Sequence, residues 1–527
     1  FGLFTGTGSF STTGGLVLAV VSLVMGGVIY AFAYALRPAQ VAVASGPALA
    51  GASGGIFTGG EPLSDEGRLT ARDFSRIFEQ TWLPFFQWSR VDAVYLAMGR
   101  GLLTCARICN VALAWLEERA SVSMVVLSAL VLAALRWFNM PVPEVRAVEP
   151  MHAAPLLTAA CATAAVGLLG VALSQRATRR LALWMSLSSA AAAAGLVVHG
   201  EWLRFALVES AAILTIPLVW RPQVSRGAKN AYVIMVAVSL ALLTASQILI
   251  HDPAAAQAFL LTGACLKLAA IPFLFWVARV ADELPAVVLG QIVAVVDIAA
   301  FADLVVITQQ HPLLLGSPAV WLTVAGVTAF AAAILMLAQR SLKRLLVLSS
   351  VEDVGFLFLG LVSASAVGVS GAVIGATAHA LAKALLFATL ATPESDGVLR
   401  ADRTGIASRY PMSAFGFLFG MLAMLGIPPM VGFVGRWRLY EAALRIHPAL
   451  LAVFIASSGF ALIAYVIALT RAWWGPPAAG ANEADCGDSQ PHQEPFLVRA
   501  VVLVLVALLL VPGLWPGSLR FLMGGLP

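Results

Sequence analysis

What most constrains this chain is a succession of apolar runs, each long enough to cross a bilayer and separated by short polar links. A helix rises about 1.5 Å per residue, so roughly 20 apolar residues span the hydrocarbon core. Such runs lie near 14–36, 121–138, 153–174, 180–198, 203–220, 229–250, 255–278, 285–308, 318–338, 343–363, 367–392, 412–430, 447–470 and 497–516, fourteen in all. Inside a bilayer no water satisfies backbone N–H and C=O groups, so runs of this length must be helical. The expected fold class is an all-α polytopic membrane protein of about 14 transmembrane helices.

Composition agrees. Of 527 residues, 60% are hydrophobic and 11% charged, and the mean hydropathy is +0.91. Soluble domains carry roughly 25% charged residues. The net charge of +5 comes with no basic cluster on a polar domain, which argues against a nucleic-acid partner. Five cysteines are scattered, at 105, 109, 161, 265 and 486, with no CxxC. Cys105 and Cys109 stand one helical turn apart but no second ligand pair accompanies them, so they read as small helix residues. No iron–sulfur, haem or flavin motif occurs, and no cofactor is expected in this chain. The sequence opens on Phe1 without a positively charged start, which argues against an intact signal peptide and suits a processed product or a piece of something longer.

Between the runs, 38–70 is rich in Gly, Ala, Ser and Pro and reads as loop, and 472–496 is polar and acidic and reads as a mobile loop. Segment 71–119 interleaves Arg72, Arg76, Arg90, Arg100, Arg107 and Arg119 with Trp82, Phe85, Phe86, Trp88 and Trp115. That mixture suits an amphipathic helix lying along the membrane or against neighbouring spans, not one crossing it. The expected division is a membrane anchor over 1–140, with two spans and the lateral helix, and a bundle over 150–527. Basic links alternate with basic-poor ones from Arg176 onward; the links near 251–254, 309–317 and 363–370 have no Lys or Arg. Basic links stay inside, which places the chain in the inner (cytoplasmic) membrane with both termini outward.

Ionisable residues interrupt the runs. At mid-bilayer a charge costs at least ~2.5–3.5 kcal/mol on insertion scales, so it faces a bundle interior and serves transport more often than not. Glu209, Lys267 and Lys383 have apolar sequence on both sides, Asp297, Glu352, Asp353 and His379 also fall within runs, and Arg436 follows a possible helix break in MLGIPPMVGFVGRW. Lys343 and Arg344 have a second reading as snorkelling cations at a helix end, Arg436 as an interfacial residue, and Asp303 as a capped or water-facing one. His379 and Lys383 share one helix face, and imidazole and amine can both carry a proton or release it. Glu209 and Lys267, in neighbouring apolar helices, should pair. An Ile-Pro step follows Lys267 and another precedes Arg436, in two halves of the chain. Proline breaks a helix, and broken helices in matching positions of two halves point to an ion pathway near the midplane.

These motifs resemble a known family: the antiporter-like proton-translocating membrane subunits of respiratory complex I, of multisubunit cation/proton antiporters and of membrane-bound hydrogenases. The resemblance rests on LKRLLVLSSVEDVG at 342–355, HALAKALLF at 379–387, GIPPMVGFVGRW at 426–437, Glu209 with downstream Pro217, and Lys267 followed by PFLFW, and covers about 150 to 527. SVEDVG looks closer to the hydrogenase-type members. Segment 14–138 is similar instead to the end of the distal complex I subunit, with its lateral helix. The resemblance implies two inverted-repeat bundles with broken helices, and two linked half-channels. Glu209 and Lys267 would form the controlling pair, while Asp297, Glu352, His379 and Lys383 would belong to the buried path. Lys343 would start or anchor a helix of it, and Arg436 would stand at its end. Three positions depart from the pattern: Asp297 for a common lysine, Leu274 for a histidine, and Arg436 for a terminal Lys or Glu.

The resemblance implies a proton- (or sodium-) translocating, non-redox subunit of a redox-driven complex, NADH:quinone oxidoreductase-like or hydrogenase-like. Its partners would be other membrane subunits, a peripheral redox module and lipid. Two alternatives stand beside it: a structural spacer with a degenerate path, and an independent secondary ion transporter.

Overall fold

Among the described residues the apolar runs of the sequence are largely helical. The structure is a computed structural model that describes residues 91–137, 154–175, 178–363, 365–399, 405–475 and 494–515. The expected span at 14–36, the loop at 38–70, the first part of 71–119 and most of 472–496 lie outside the described residues. Packing divides the chain into two units, with the boundary between Thr104 and Cys105. The larger unit contains Cys105–Pro527.

Sixteen helices are used here. They are α1 Val91–Glu118 and α2 Ala120–Trp137, then α3 Ala154–Ser174, α4 Arg179–Val197, α5 Glu201–Val219 and α6 Arg226–Ile248. Next come α7 Pro253–Lys267, α8 Phe275–Ala281, α9 Ala286–Gln310 and α10 Pro318–Leu337. The rest are α11 Leu342–Val362, α12 Ala366–Ser395, α13 Pro411–Met424, α14 Val431–Ile446, α15 Pro448–Trp473 and α16 Phe496–Leu514. Among the described residues, 11 helices are long and apolar enough to cross a membrane, and α13 and part of α2 are shorter apolar helices. The expected span 255–278 is broken in two by irregular backbone, and in the expected span 412–430 the helix stops at Met424. Leu96–Glu118 also meets the length and apolarity of a span, where the sequence suggested a lateral helix.

Local chemistry sets the boundaries. Side chains of Thr178, Ser225, Asp252, Ser341 and Ser365 accept a backbone N–H in the first turns of α4, α6, α7, α11 and α12, satisfying donors that a helix start leaves free. At the first break, α7 stops at Lys267 and Ala269 turns to φ 53°. Freed polar groups there find side-chain partners: Ile271 N–H donates to Thr328 Oγ1 at 3.1 Å, and Trp276 Nε1 donates to the Leu266 carbonyl at 2.8 Å. At the second break Gly426 adopts φ 64°, a left-handed conformation that glycine enters without a Cβ clash. A Cβ there would stand 2.7 Å from Arg436 Cβ.

Helices α11 and α12 form the centre. Helix α11 packs on α10 and α12, and α12 also packs on α3, α13, α14 and α16. Both are buried nearly all round, as apolarity on every face requires. Gly355 lets α11 cross α10 closely, since an added Cβ would lie 2.5 Å from Ala325 O and 2.7 Å from Ala329 N. Gly355→Val is therefore expected to overpack this crossing and cost about 1–3 kcal/mol. Thermal unfolding of the detergent-solubilised protein checks it; an unchanged midpoint would show that the crossing yields without strain.

Candidate functional site: a buried polar axis

The site grows from the breaks. Because α7 ends at Lys267, its ammonium sits where the helix dipole favours a cation. Lys267 donates from Nζ to Glu209 Oε1 of α5 in a buried ion pair. Glu209 and Lys267 are 3% and 4% exposed. An unpaired charge would be costly there, so pairing is the physical condition for both to be ionised. Glu209 Oε2 has no protein partner, and Glu209 lines a small cavity together with Lys267, Gln247 and Asp303.

A second cluster is built by α11, α12 and α14. Arg436 Nη1 and Nη2 reach Glu352 Oε1 and Oε2 at 3.2 and 3.4 Å, and Nη2 lies 3.2 Å from Asp353 Oδ1. Nη2 also donates to the Met424 carbonyl at 2.7 Å, a group freed where α13 ends. The guanidinium stacks 3.7 Å from the Phe356 ring centre, a cation–π contact strengthened by desolvation. Asp353 Oδ2 lies 2.7 Å from His379 Nδ1, and Ser457 Oγ donates to Glu352 Oε1 at 3.3 Å.

Lys383 is fully buried one turn beyond His379 on the same face of α12. Its Nζ donates to the Leu346 carbonyl at 2.6 Å and to Ser349 Oγ, and Ser349 shares a 2.7 Å hydrogen bond with Tyr465. His379 and Lys383 thus turn to the same helix, α11, but to different partners on it. Two donors suffice for the two contacts of Lys383, so either a neutral amine or an ammonium can make them. With His379 neutral, the charges of Arg436, Lys383, Glu352 and Asp353 cancel.

A gap about large enough for one water lies between the two clusters, lined by Leu268, Ala269, Asp297, Ser350 and His379. Asp297 lies just after a π turn, Gln291–Val296, in α9, and the carbonyl of Val293 in that turn faces the His379 imidazole. Such turns free a carbonyl from the helix ladder.

Lys343 is placed elsewhere. Its Nζ holds the carbonyls of Asp282 and Leu284 at 3.0 and 2.9 Å and Glu394 at 2.8 Å. Glu394 in turn accepts the Ala286 N–H at 2.6 Å. This clamp ties the ends of α8, α9, α11 and α12, while Arg344 binds Glu117 and Asp282. Two bland expectations are corrected. Arg436 is 4% exposed and buried in a charge cluster, not interfacial. Asp303 is buried from bulk solvent, at 8% exposure, and bound by Arg204 Nε at 2.6 Å. Arg204 was missed as a site residue; its place in the same apolar helix as Glu209 was the available signal. Among the described residues no group of three or more His, Cys, Asp or Glu side chains converges as metal ligands would.

Residues 232–461 match the family described as the transmembrane domain of NADH:quinone oxidoreductase and Mrp antiporters. Over these residues the chain resembles the antiporter-like membrane subunits of this superfamily. NADH-quinone oxidoreductase subunit N of Heliobacterium modesticaldum is 30% identical over 271 residues, 49% of this chain and 54% of that protein. Its counterpart from Hydrogenovibrio crunogenus is 32% identical over 269 residues, 50% of this chain and 54% of that protein. The chain therefore spans about half the length of the curated relatives it matches. The fold is shared with a chain of the Mrp complex from a Dietzia species, with TM-score 0.62, 18% identity and coverage of 81% of this chain and 95% of that one. It is shared also with a chain of respiratory complex I from Thermus thermophilus, with TM-score 0.57, 22% identity and coverage of 79% and 97%. The hydrogenase-type leaning expected from SVEDVG has only the loose support of a common superfamily. The matched region holds Lys267, Asp297, Lys343, Glu352, His379, Lys383 and Arg436, while Glu209 and Arg204 precede it.

Proposed function

We propose that this chain carries protons, or sodium ions, across the inner membrane as a non-redox subunit of a redox-driven complex. Other membrane subunits and a peripheral module of the NADH:quinone oxidoreductase type would be its partners and hold the cofactors. The observation that carries this reading is the near-continuous polar axis from Glu209·Lys267 through the Asp297 gap to His379·Asp353 and Arg436. Charges buried this deeply are costly and mark ion pathways. The lateral course of 71–119 along the cytoplasmic face and outward termini belong to the same proposal, supported by the Arg–aromatic interleaving and the alternation of basic links.

The test is NADH-driven proton uptake by inverted membrane vesicles containing the whole complex. Lys267→Ala is expected to slow uptake about tenfold or more, because a positioned proton-transfer group is lost. Normal uptake, or a stable solitary chain that moves ions in liposomes, would sink the reading. A spacer role is favoured by one feature: Arg436, whose guanidinium does not deprotonate, stands where a proton must leave.

A further inference from the structure

A site of a different kind lies at the basic end of the bundle, away from the polar axis. Arg279, near the end of α8, forms no ion pair or hydrogen bond among the described residues. Its Nε is buried without a partner, and a buried donor is costly until an acceptor answers it. The side chain as a whole is only part-buried, so its outer nitrogens stay within reach of a ligand. Nearby carboxylates are already engaged. Glu117 and Asp282 bind Arg344, and Glu283 accepts the N–H and Oγ of Ser225 at 2.5 and 2.8 Å.

Arg279 lies against the start of α6, on which α8 packs. A Cβ at Gly227 would stand 2.9 Å from Arg279 Nη2 and 3.7 Å from Cζ and Nε. A residue without a side chain lets the guanidinium come this close to the backbone. Ser225 caps this 23-residue helix by accepting the Ala228 N–H at 3.2 Å. The N–H groups of Arg226 and Gly227, in the same first turn, donate to no described group. They form the positive end of the helix dipole. A helix start with free N–H groups and a guanidinium laid across it is a place for an anion.

The depth of the site narrows the choice of anion. Trp220 is 57% exposed, and Lys229 Nζ lies 5.9 Å from its ring centre. Trp115 and Arg119 make the same pairing at 5.2 Å. Exposed tryptophans beside cations mark the level of lipid headgroups. With Arg226 and Lys229 close by, the cationic group of a zwitterionic lipid would be repelled, whereas an anionic headgroup would be drawn in.

We propose that Arg279, Gly227 and the start of α6 bind the phosphate of an anionic phospholipid. The proposal goes beyond ion translocation and does not rest on it. The guanidinium meets the phosphate through its outer nitrogens, and the N–H groups of Arg226 and Gly227 meet it from the helix start.

The test uses the whole protein, purified with the subunits that accompany it, in nanodiscs of phosphatidylcholine with or without phosphatidylglycerol. Melting temperature is one readout, and retention of phosphatidylglycerol in native mass spectrometry is the other. The wild type should retain this lipid and melt higher in its presence. Arg279→Gln and Gly227→Ala, the second of which keeps every charge, should each weaken retention about tenfold, as loss of a charge-assisted hydrogen bond does. Each variant is compared with itself in the two lipids, so a change in its intrinsic stability does not enter. Arg340→Gln removes an exposed charge from the same end and should retain lipid like the wild type. Undiminished retention in Arg279→Gln and Gly227→Ala, or an equal loss in Arg340→Gln, would overturn the site in favour of diffuse surface charge. Equal protection of the phosphatidylcholine sample by inorganic phosphate alone would assign the site to a soluble anion and overturn the lipid.

Discussion

Lys383→Ala is expected to slow NADH-driven proton uptake about tenfold or more while the complex still assembles. Lys383 has no exposed surface. Its amine touches only neutral groups, the Leu346 carbonyl and the Ser349 hydroxyl. Removing it orphans no directly bonded carboxylate, so the damage is that of a large-to-small core change, about 2–5 kcal/mol in soluble proteins. What is lost is a group able to hold or release a proton between His379 and the Ser349–Tyr465 hydroxyls. Lys383→Arg keeps the charge but not the release, because guanidinium stays protonated; it should impair uptake as well. Normal uptake in both variants, measured beside an amount of assembled complex equal to wild type, would assign this chain the spacer role and leave the pumping to its neighbours.

Arg436→Ala should act in the opposite way, on stability first. Truncation leaves Glu352 and Asp353, adjacent in sequence and both buried, without the guanidinium that bridges them. It also strips a donor from the Met424 carbonyl and a cation from the Phe356 face. Breaking a buried pair by removing one partner costs about 3–5 kcal/mol, more than most single changes. The expected result is a lower melting temperature of the solubilised complex and less assembled chain. Arg436→Lys keeps the charge but loses the fork that reaches two carboxylates, so it should fall between. The sharper check is Glu352→Gln in the Arg436→Ala background: removing the orphaned charge should recover part of the loss. An unaltered melting temperature for Arg436→Ala would mean that water, not arginine, solvates these carboxylates.

Much of this was legible in the chain itself, and the reasons are particular. Helices α9 to α12 follow from unbroken apolar runs, since length and hydropathy act locally. The breaks after Lys267 and before Arg436 follow from Pro272, Gly426 and Pro428, residues whose backbone chemistry excludes a continuous helix. The Glu209–Lys267 pair was legible because two opposite charges in nearby apolar helices have few alternatives. Arg204–Asp303 was not. The partners lie on α5 and α9, far apart in sequence, and each alone looks like a residue near a helix end. The clamp of Lys343 on Glu394 was hidden for the same reason: a lysine at a helix start is ordinary until the end of α12 is brought beside it. Ser349 and Tyr465, the neutral companions of Lys383, carry no sequence signal at all, because hydroxyls are common in such helices.

The two breaks differ in how they are fastened. At the first, the neutral Trp276 indole holds the Leu266 carbonyl; at the second, the charged Arg436 holds the Met424 carbonyl. A neutral fastening is indifferent to the ionisation of its surroundings. A charged one is not, because the same guanidinium answers to Glu352 and Asp353. Each proton gained or lost by those carboxylates alters the pull on Arg436 and so the tension on the backbone between Met424 and Val431. The second break is thus fastened through a charge shared with two carboxylates, whereas the first is fastened by a neutral hydrogen bond.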